Sequence, residues 1–252
     1  MNFLHQLWQA PFKGFEATWK SIGNFLYDNV FGFVYKSSWR ILWPALGETI
    51  YMTVVSTLIA YILGLLLGIV LVTTRKGGIK PMPTFNTVLG AIVNFLRSIP
   101  FLILLAMLLP VTKVVVGKMM TTVAVVFPLI VSAFPYVARM VEGSFNEVDP
   151  GIIEASKAMG STTMQIIRKV LLPEALPSLI NGFSICMTTI LAYTAMASAA
   201  AGGGLGSVAI TYGLNQQRYD IMYAASIMLV VLVQIITVTG SILTRKKDHR
   251  LR

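Results

Sequence analysis

The sequence predicts an all-α integral membrane protein with five transmembrane helices. Three observations carry this. Of 252 residues, 56% are hydrophobic and 12% charged, about half the charged fraction of a soluble domain. The charges are missing in blocks: residues 49–74, 119–138, 175–217 and 221–244 contain no Asp, Glu, Lys or Arg. About 20 apolar residues let a helix cross ~30 Å of hydrocarbon, and each block reaches that length. Finally, the basic residues gather between the blocks, on alternate connections.

Residues 1–46 precede the first block and interleave aromatic rings (Phe3, Trp8, Phe12, Trp19, Phe25, Trp39, Trp43) with Lys13, Lys20, Lys36 and Arg40. This pattern suits an amphipathic segment lying in the headgroup layer. A sixth span near 21–35 is the alternative, against which Asp28 and the short apolar run count. The membrane-spanning body is expected over 47–244, with spans at 49–74, 88–110, 119–139, 175–198 and 221–244. Within the first, Gly64 and Gly68 form a G-x-x-x-G pair that permits close helix approach.

An odd number of spans puts the two ends on opposite sides. Arg75, Lys76 and Lys80 follow the first span, and Lys157, Arg168 and Lys169 lie in the long loop 143–174. Arg245, Lys246, Lys247, Arg250 and Arg252 form the tail 245–252. Positive loops are held on the cytoplasmic side, so the loops after the first and third spans and the tail face inward. A multi-pass membrane protein is expected, in contact with lipid. The net charge of +10 is thus a topology signal and excludes nucleic acid as a partner. Cys186, the single cysteine, sits in an apolar stretch and reads as an inert buried thiol. His5 and His249 stand near opposite ends and make no metal site. The N-terminus lacks the compact apolar core and small-residue cleavage site of a signal peptide.

The loop 143–174 is the most informative stretch. Glu154-Ala155-Ser156-Lys157-Ala158-Met159-Gly160 reads as a short helix stopped by a glycine suited to the left-handed position past a helix end. Ser161 or Thr162 can cap a second short helix, which Leu172-Pro173 is expected to close. Ile166, Ile167 and Val170 share one face of it, with Arg168 and Lys169 turned elsewhere. Such an amphipathic helix suits docking into a groove on a partner, although long loops also form plain surface helices. The spacing decides between them. The loop resembles the E-A-A-x3-G-x9-I-x-L-P signature of ABC-type importer permeases, with Ser156 for the second Ala and Val170 for Ile. From average residue usage, a match to Glu154, Ala155, Gly160, Leu172 and Pro173 at these offsets arises by chance on the order of 10⁻³ or less.

The resemblance implies that this loop is the coupling helix seated in a cleft of an ATPase subunit, with Glu154, Ala155, Gly160, Ile166, Val170, Leu172 and Pro173 carrying the contact. The chain has no G-x-x-x-x-G-K-[ST] phosphate loop. No cofactor is therefore expected on it, and ATP and Mg belong to the partner ATPase. The chain is not expected to be an enzyme, since no nucleophile–base pair or metal set can be assembled.

Arg97-Ser98-Ile99-Pro100-Phe101-Leu102 resembles the R-[GS]-[TI]-P-x-L segment of amino-acid importer permeases. Arg97 is expected near mid-bilayer, where a charge faces the bundle interior or a watery cavity. It either pins a helix kinked at Pro100 by bonding neighbouring carbonyls, including that of Leu96, or meets a substrate carboxylate. Tyr193 and Met196 share a helix face, with Thr189 one turn before Tyr193. Ordinary helix contact and a translocation gate both fit that spacing.

Together with Pro135, Ala138 to Glu142, Met164 to Ile166, Arg168 to Pro177, Tyr193 to Met196 and Gly203 to Gly206, these segments look like the methionine-uptake branch of the family over about residues 45–244. That likeness implies the bacterial cytoplasmic (inner) membrane, a homodimer of five-helix subunits, two ATPase subunits, and a lipid-anchored amino-acid-binding protein outside. It also favours Thr189, Tyr193 and Met196 as gate residues. An importer for another amino acid shares the same coupling loop. An ion-coupled carrier or channel needs intramembrane acids, whereas Glu48, Glu142 and Asp220 all sit at span ends. The glycines at 202–204 and 206 lack an adjacent basic residue, so a tight backbone turn on the outer side is expected rather than a phosphate cradle.

Overall fold

A computed structural model describes residues 39–119, 121–200 and 203–247 of the chain. The aromatic segment before residue 39, and with it the alternative span near 21–35, lies outside the described residues.

The first helix, α1, runs Trp39–Thr74, so residues 39–46 belong to it and not to a separate segment. The expected start at 49 rested on treating Glu48 as a boundary charge. Its carboxylate accepts the Gly204 N–H at 2.6 Å, and a satisfied charge does not end a helix. Trp39 and Trp43 stack one turn apart, centroids 5.7 Å.

The expected straight span 88–110 is broken. Helix α2 (Pro83–Arg97) and helix α3 (Phe101–Val116) meet at 99° across Ser98–Pro100. Proline lacks the N–H that would continue the ladder and pushes the residue before it out of the helical region. Here Pro100 becomes the N-cap of α3, with ψ at 136°. Ser98 closes α2 by returning both its N–H (3.1 Å) and its hydroxyl (2.9 Å) to the Asn94 carbonyl. The Leu96 carbonyl accepts from Ile99 N at 3.4 Å, so the break does not leave it open for Arg97.

Helix α4 (Thr122–Asn146) starts where the Thr121 hydroxyl accepts the Ala124 N–H, 3.2 Å. After it come α5 (Pro150–Ala158), α6 (Thr163–Ile166), a π-helical turn over Ile167–Leu171, and α7 (Leu172–Ala200). A short segment combines α8 (Leu205–Val208) with a π-helical stretch Ala209–Asn215, and α9 (Tyr219–Lys247) ends on Arg245, Lys246 and Lys247. Four stretches are long and apolar enough to cross a membrane among the described residues, and the bent α2–α3 pair supplies a fifth if taken as one span.

The core forms where α1 lies against α4. A Cβ built on Gly64 would stand 2.5 Å from Val137 Cβ and 2.9 Å from the Phe134 carbonyl oxygen. One built on Gly68 would stand 2.6 Å from Val141 Cγ1 and 2.9 Å from the Ala138 oxygen. The two backbones touch because both positions lack a side chain, as small residues in membrane helices allow. Met52, Ala60, Leu129, Ala133, Val137 and Val141 fill this seam. Helix α7 joins it through Tyr61, whose hydroxyl donates to the Leu179 carbonyl at 2.6 Å and whose ring meets Phe183 edge-on at 5.1 Å.

Gly64→Ala is expected to cost about 1–3 kcal/mol by overpacking, against the ~0.5–1 kcal/mol that Gly→Ala gains within a helix. Gly47, with nothing within 4 Å of its Cβ position, is the control: Gly47→Ala should be neutral or stabilising. Thermal unfolding of the two variants in detergent checks the opposite signs.

Candidate functional site

On the cytoplasmic side the loop is built as a rigid elbow. Asp149 caps α5 by accepting the Gly151 N–H at 2.8 Å, with Pro150 in the first turn. Gly160 has φ +79°, the left-handed conformation. Its N–H donates to the Lys157 carbonyl at 2.9 Å, and Ser161 N donates to the Ser156 carbonyl at 3.1 Å, which closes the helix end. Thr162 then caps α6 in a reciprocal capping box with Gln165. The elbow is tied to the α1–α2 connection where Lys157 Nζ donates to the Gly78 carbonyl, 3.0 Å, and where the Arg75 guanidinium meets the Asn146 side chain.

Two expectations for this loop need correction. Leu172-Pro173 does not end a helix. The run from Thr163 to Ala197 is one continuous rod, because the π-turn lets Leu172 N donate to Ile167 O five residues back. That extra residue makes room for the proline ring and its missing donor. Nor does the Ile166 face present itself to the cytoplasm. Ile166 is 1% exposed, Ile167 and Leu171 are also buried, and Val170 is half-buried. A side chain so placed anchors the loop to the bundle. The surface offered outward is Glu154, Ala155, Met159 (78% exposed), Met164 and Pro173.

At the α2–α3 break the candidate pathway residues come together. Phe101 stacks on Tyr193, centroids 4.6 Å and planes 3° apart. The Arg97 guanidinium lies 6.0 Å from the centre of the Tyr136 ring, and Tyr136 in turn neighbours Thr189. Thr189 donates to the Ile185 carbonyl at 2.9 Å. Ile185, Ala192 and Met196 are exposed on one face of α7 with the half-buried Thr189 beside them, while Tyr193 is turned aside to Phe101. Met196 is 47% exposed.

Beside Thr189 runs a groove of about 480 Å³ between α7 and α9, edged by Asn181, Ser184, Thr188, Thr237 and Ser241. A second cleft of about 250 Å³, at the cytoplasmic end, shares Asn181 and includes Glu147, Glu174 and Ser178.

Arg139 is the residue that sequence reasoning passed over. Its guanidinium donates to the Gly90 carbonyl (2.8 Å), the Asn94 side-chain oxygen (3.1 Å) and Glu142 Oε2 (2.6 Å). This fork fastens α2 to α4, the task that one reading assigned to Arg97. No hydrogen bond joins Arg97 to a carbonyl among the described residues. The signal was available in the sequence: Glu142 stands three residues on from Arg139, the helical spacing of a pair.

On the outer side, the Gly203–Gly204 turn lies against the start of α1. Glu48 accepts from Gly204 N, and Thr49 Oγ1 accepts from Leu205 N at 2.9 Å. The anion that occupies this glycine turn is the protein's own carboxylate.

Arg139→Lys is expected to destabilise the protein by about 2 kcal/mol, because one ammonium cannot replace a fork with three acceptors. Arg97→Lys should leave the unfolding temperature almost unchanged. A thermal-unfolding series on both variants reads the difference.

Residues 60–252 match the family described as the binding-protein-dependent transport system inner membrane component. The chain is 48% identical over 181 residues to the "Probable D-methionine transport system permease protein" of Vibrio cholerae, covering 72% of this chain and 80% of that one. It is 41% identical over 181 residues to the methionine import system permease protein of Bacillus subtilis, covering 72% and 82%. An inward-facing structure of the MetNI methionine ABC transporter superposes with a TM-score of 0.82 at 42% identity, covering 83% of this chain and 97% of that one. The chain belongs to the binding-protein-dependent transport system inner membrane component family.

Proposed function

We propose that the chain is the membrane-spanning permease subunit of an ATP-driven importer of methionine. It receives the amino acid from an external binding protein and is driven by an ATPase on another polypeptide. The observation that carries this reading is the continuous rod from Thr163 to Ala197. One end of that rod is the capped elbow that the partner ATPase would grip, and the other bears Thr189, Tyr193 and Met196. A shift at the elbow is therefore passed toward the pathway residues along one unbroken helix.

The finer features follow from the same parts. Two copies of the chain would face each other across the exposed side of α7, where Thr189 and Met196 stand, and two ATPase subunits would take the two elbows. Glu154, Ala155 and Gly160 form the gripped surface with Met159 and Met164, while Ile166 and Leu172 brace it from behind. A methionine side chain at a two-fold axis closes a narrow path and yields readily, because the thioether is flexible. Arg97, over Tyr136 and open on one side, is placed to meet the carboxylate of a passing amino acid. The two clefts that meet at Asn181, the outer one mostly apolar and the inner one edged by Glu147, Glu174 and Ser178, form a route toward the cytoplasm. A lipid-anchored binding protein completes the assembly outside, and ATP with Mg remains on the ATPase.

The test is methionine uptake by proteoliposomes holding this chain, its ATPase and its binding protein. Uptake should require ATP and all three proteins, and the chain alone should hydrolyse no ATP. Gly160→Pro, which φ +79° forbids, should abolish uptake while hydrolysis continues. Met196→Ala should leak small solutes without ATP, since neighbours relax only partly into lost volume. ATP-independent accumulation of methionine, or full uptake by Gly160→Pro, would contradict the reading.

A further inference from the structure

The helical segment Leu205–Asn215 starts on a glycine that carries no cap of its own. The first N–H groups of any helix lack intrahelical partners, and here α1 supplies them. Glu48 Oε2 accepts from Gly204 N at 2.6 Å and Thr49 Oγ1 from Leu205 N at 2.9 Å, while the Thr49 hydroxyl donates to the Ala45 carbonyl at 3.0 Å. A carboxylate at the positive end of a helix is favoured twice, by charge-assisted hydrogen bonding and by the backbone dipoles.

The glycines are shaped to this contact. A Cβ on Gly203 would overlap the Glu48 carboxylate and stand 2.7 Å from the Thr122 hydroxyl; one on Gly204, at φ +89°, would stand 2.7 Å from Thr49 Oγ1. Below the contact, Leu205 and Val208 are buried with Leu42, Ala45, Ile221 and Ala225. At the far end, Arg218 N donates to the Tyr212 carbonyl at 3.0 Å, and Arg218 pairs with Asp220 at 3.6 Å. Between these two fixed ends, Leu214, Asn215, Gln216, Gln217 and Tyr219 are all exposed on the outer side. These side chains are amides, a leucine and a phenol, and the one cation among them, Arg218, is paired with Asp220.

We propose that Glu48 is a positioning residue for docking. By capping the 205–215 segment from α1, it holds the uncharged 214–217 ledge and Tyr219 in place as a contact surface for the external binding protein. This rests on the transporter reading given above. The ledge offers hydrogen-bonding amides around an apolar residue, which suits the surface of a soluble protein rather than lipid. Loss of the cap frees the segment to pivot on its small core, and the ledge moves with it.

The test uses the complete reconstituted transporter, with ATP hydrolysis measured against binding-protein concentration. Glu48→Ala should raise the half-saturating concentration about tenfold, the scale of one lost charge-assisted bond. The maximal rate and the hydrolysis without binding protein should stay near wild type. Glu48→Gln keeps an acceptor without the charge and should show an intermediate shift, about threefold from wild type. A purely structural role would instead lower assembly and all rates together. An unshifted half-saturating concentration in Glu48→Ala overturns the role of Glu48; if that variant does not assemble, an unshifted Glu48→Gln does so. Wild-type hydrolysis that ignores the binding protein overturns the transporter reading itself, and this proposal with it.

Discussion

The close approach of α1 and α4 at Gly64 and Gly68 is the constraint on which the rest of the structure depends. In a bilayer, association of apolar helices gains little from the hydrophobic effect, so shape complementarity and hydrogen bonds must supply it. With Val137 and Val141 seated on bare glycine backbone, α4 has a fixed height and rotation against α1. Arg139 and Glu142, on the same stretch of α4, are then aimed at α2, and the fork to Gly90 and Asn94 sets where the α2–α3 break can sit. Phe101 reaches Tyr193 because that break is held. The pathway cluster is thus a consequence of two glycines several turns away.

Movement in such an assembly needs one stiff part and one compliant part. The stiff part is the elbow: a left-handed glycine, a capping box and a buried Ile166 leave little freedom between the cytoplasmic tip and α7. The π-turn over Ile167–Leu171 is the compliant part, since its wider ladder is interrupted just where Pro173 removes a donor. Placed between the tip and the proposed gate residues, it can change bend without unfolding either neighbour. The clefts on either side of Asn181 border this same helix, so bending there alters their width.

Much of this was legible in the sequence, for reasons that differ from element to element. Spans announce themselves by missing charge, and the elbow by Gly160 and the cap at Thr162, which are local chemistry. Contacts across the fold were not legible. Glu48 looked like a boundary because its partner, Gly204, is 156 residues away; the glycine turn looked unoccupied for the same reason. Pro100 and Pro173 carry the same chemistry, yet one breaks a helix by 99° and the other is absorbed in a π-turn. What separates them is the neighbouring backbone, which single-residue propensity does not contain. Arg97 drew attention by its depth, whereas Arg139 holds the helices.

The central claim is that displacement of the cytoplasmic elbow reaches Met196 along one continuous helix. Distances between nitroxide labels at position 196 of two copies, measured by electron–electron double resonance in the assembled transporter, address it directly. The native Cys186 is buried and is replaced by Ala as a precaution. The account predicts a label–label distance that changes when ATP binds the partner ATPase, and no change when Gly160→Pro is present. A distance that responds to ATP equally with and without Gly160→Pro would contradict it.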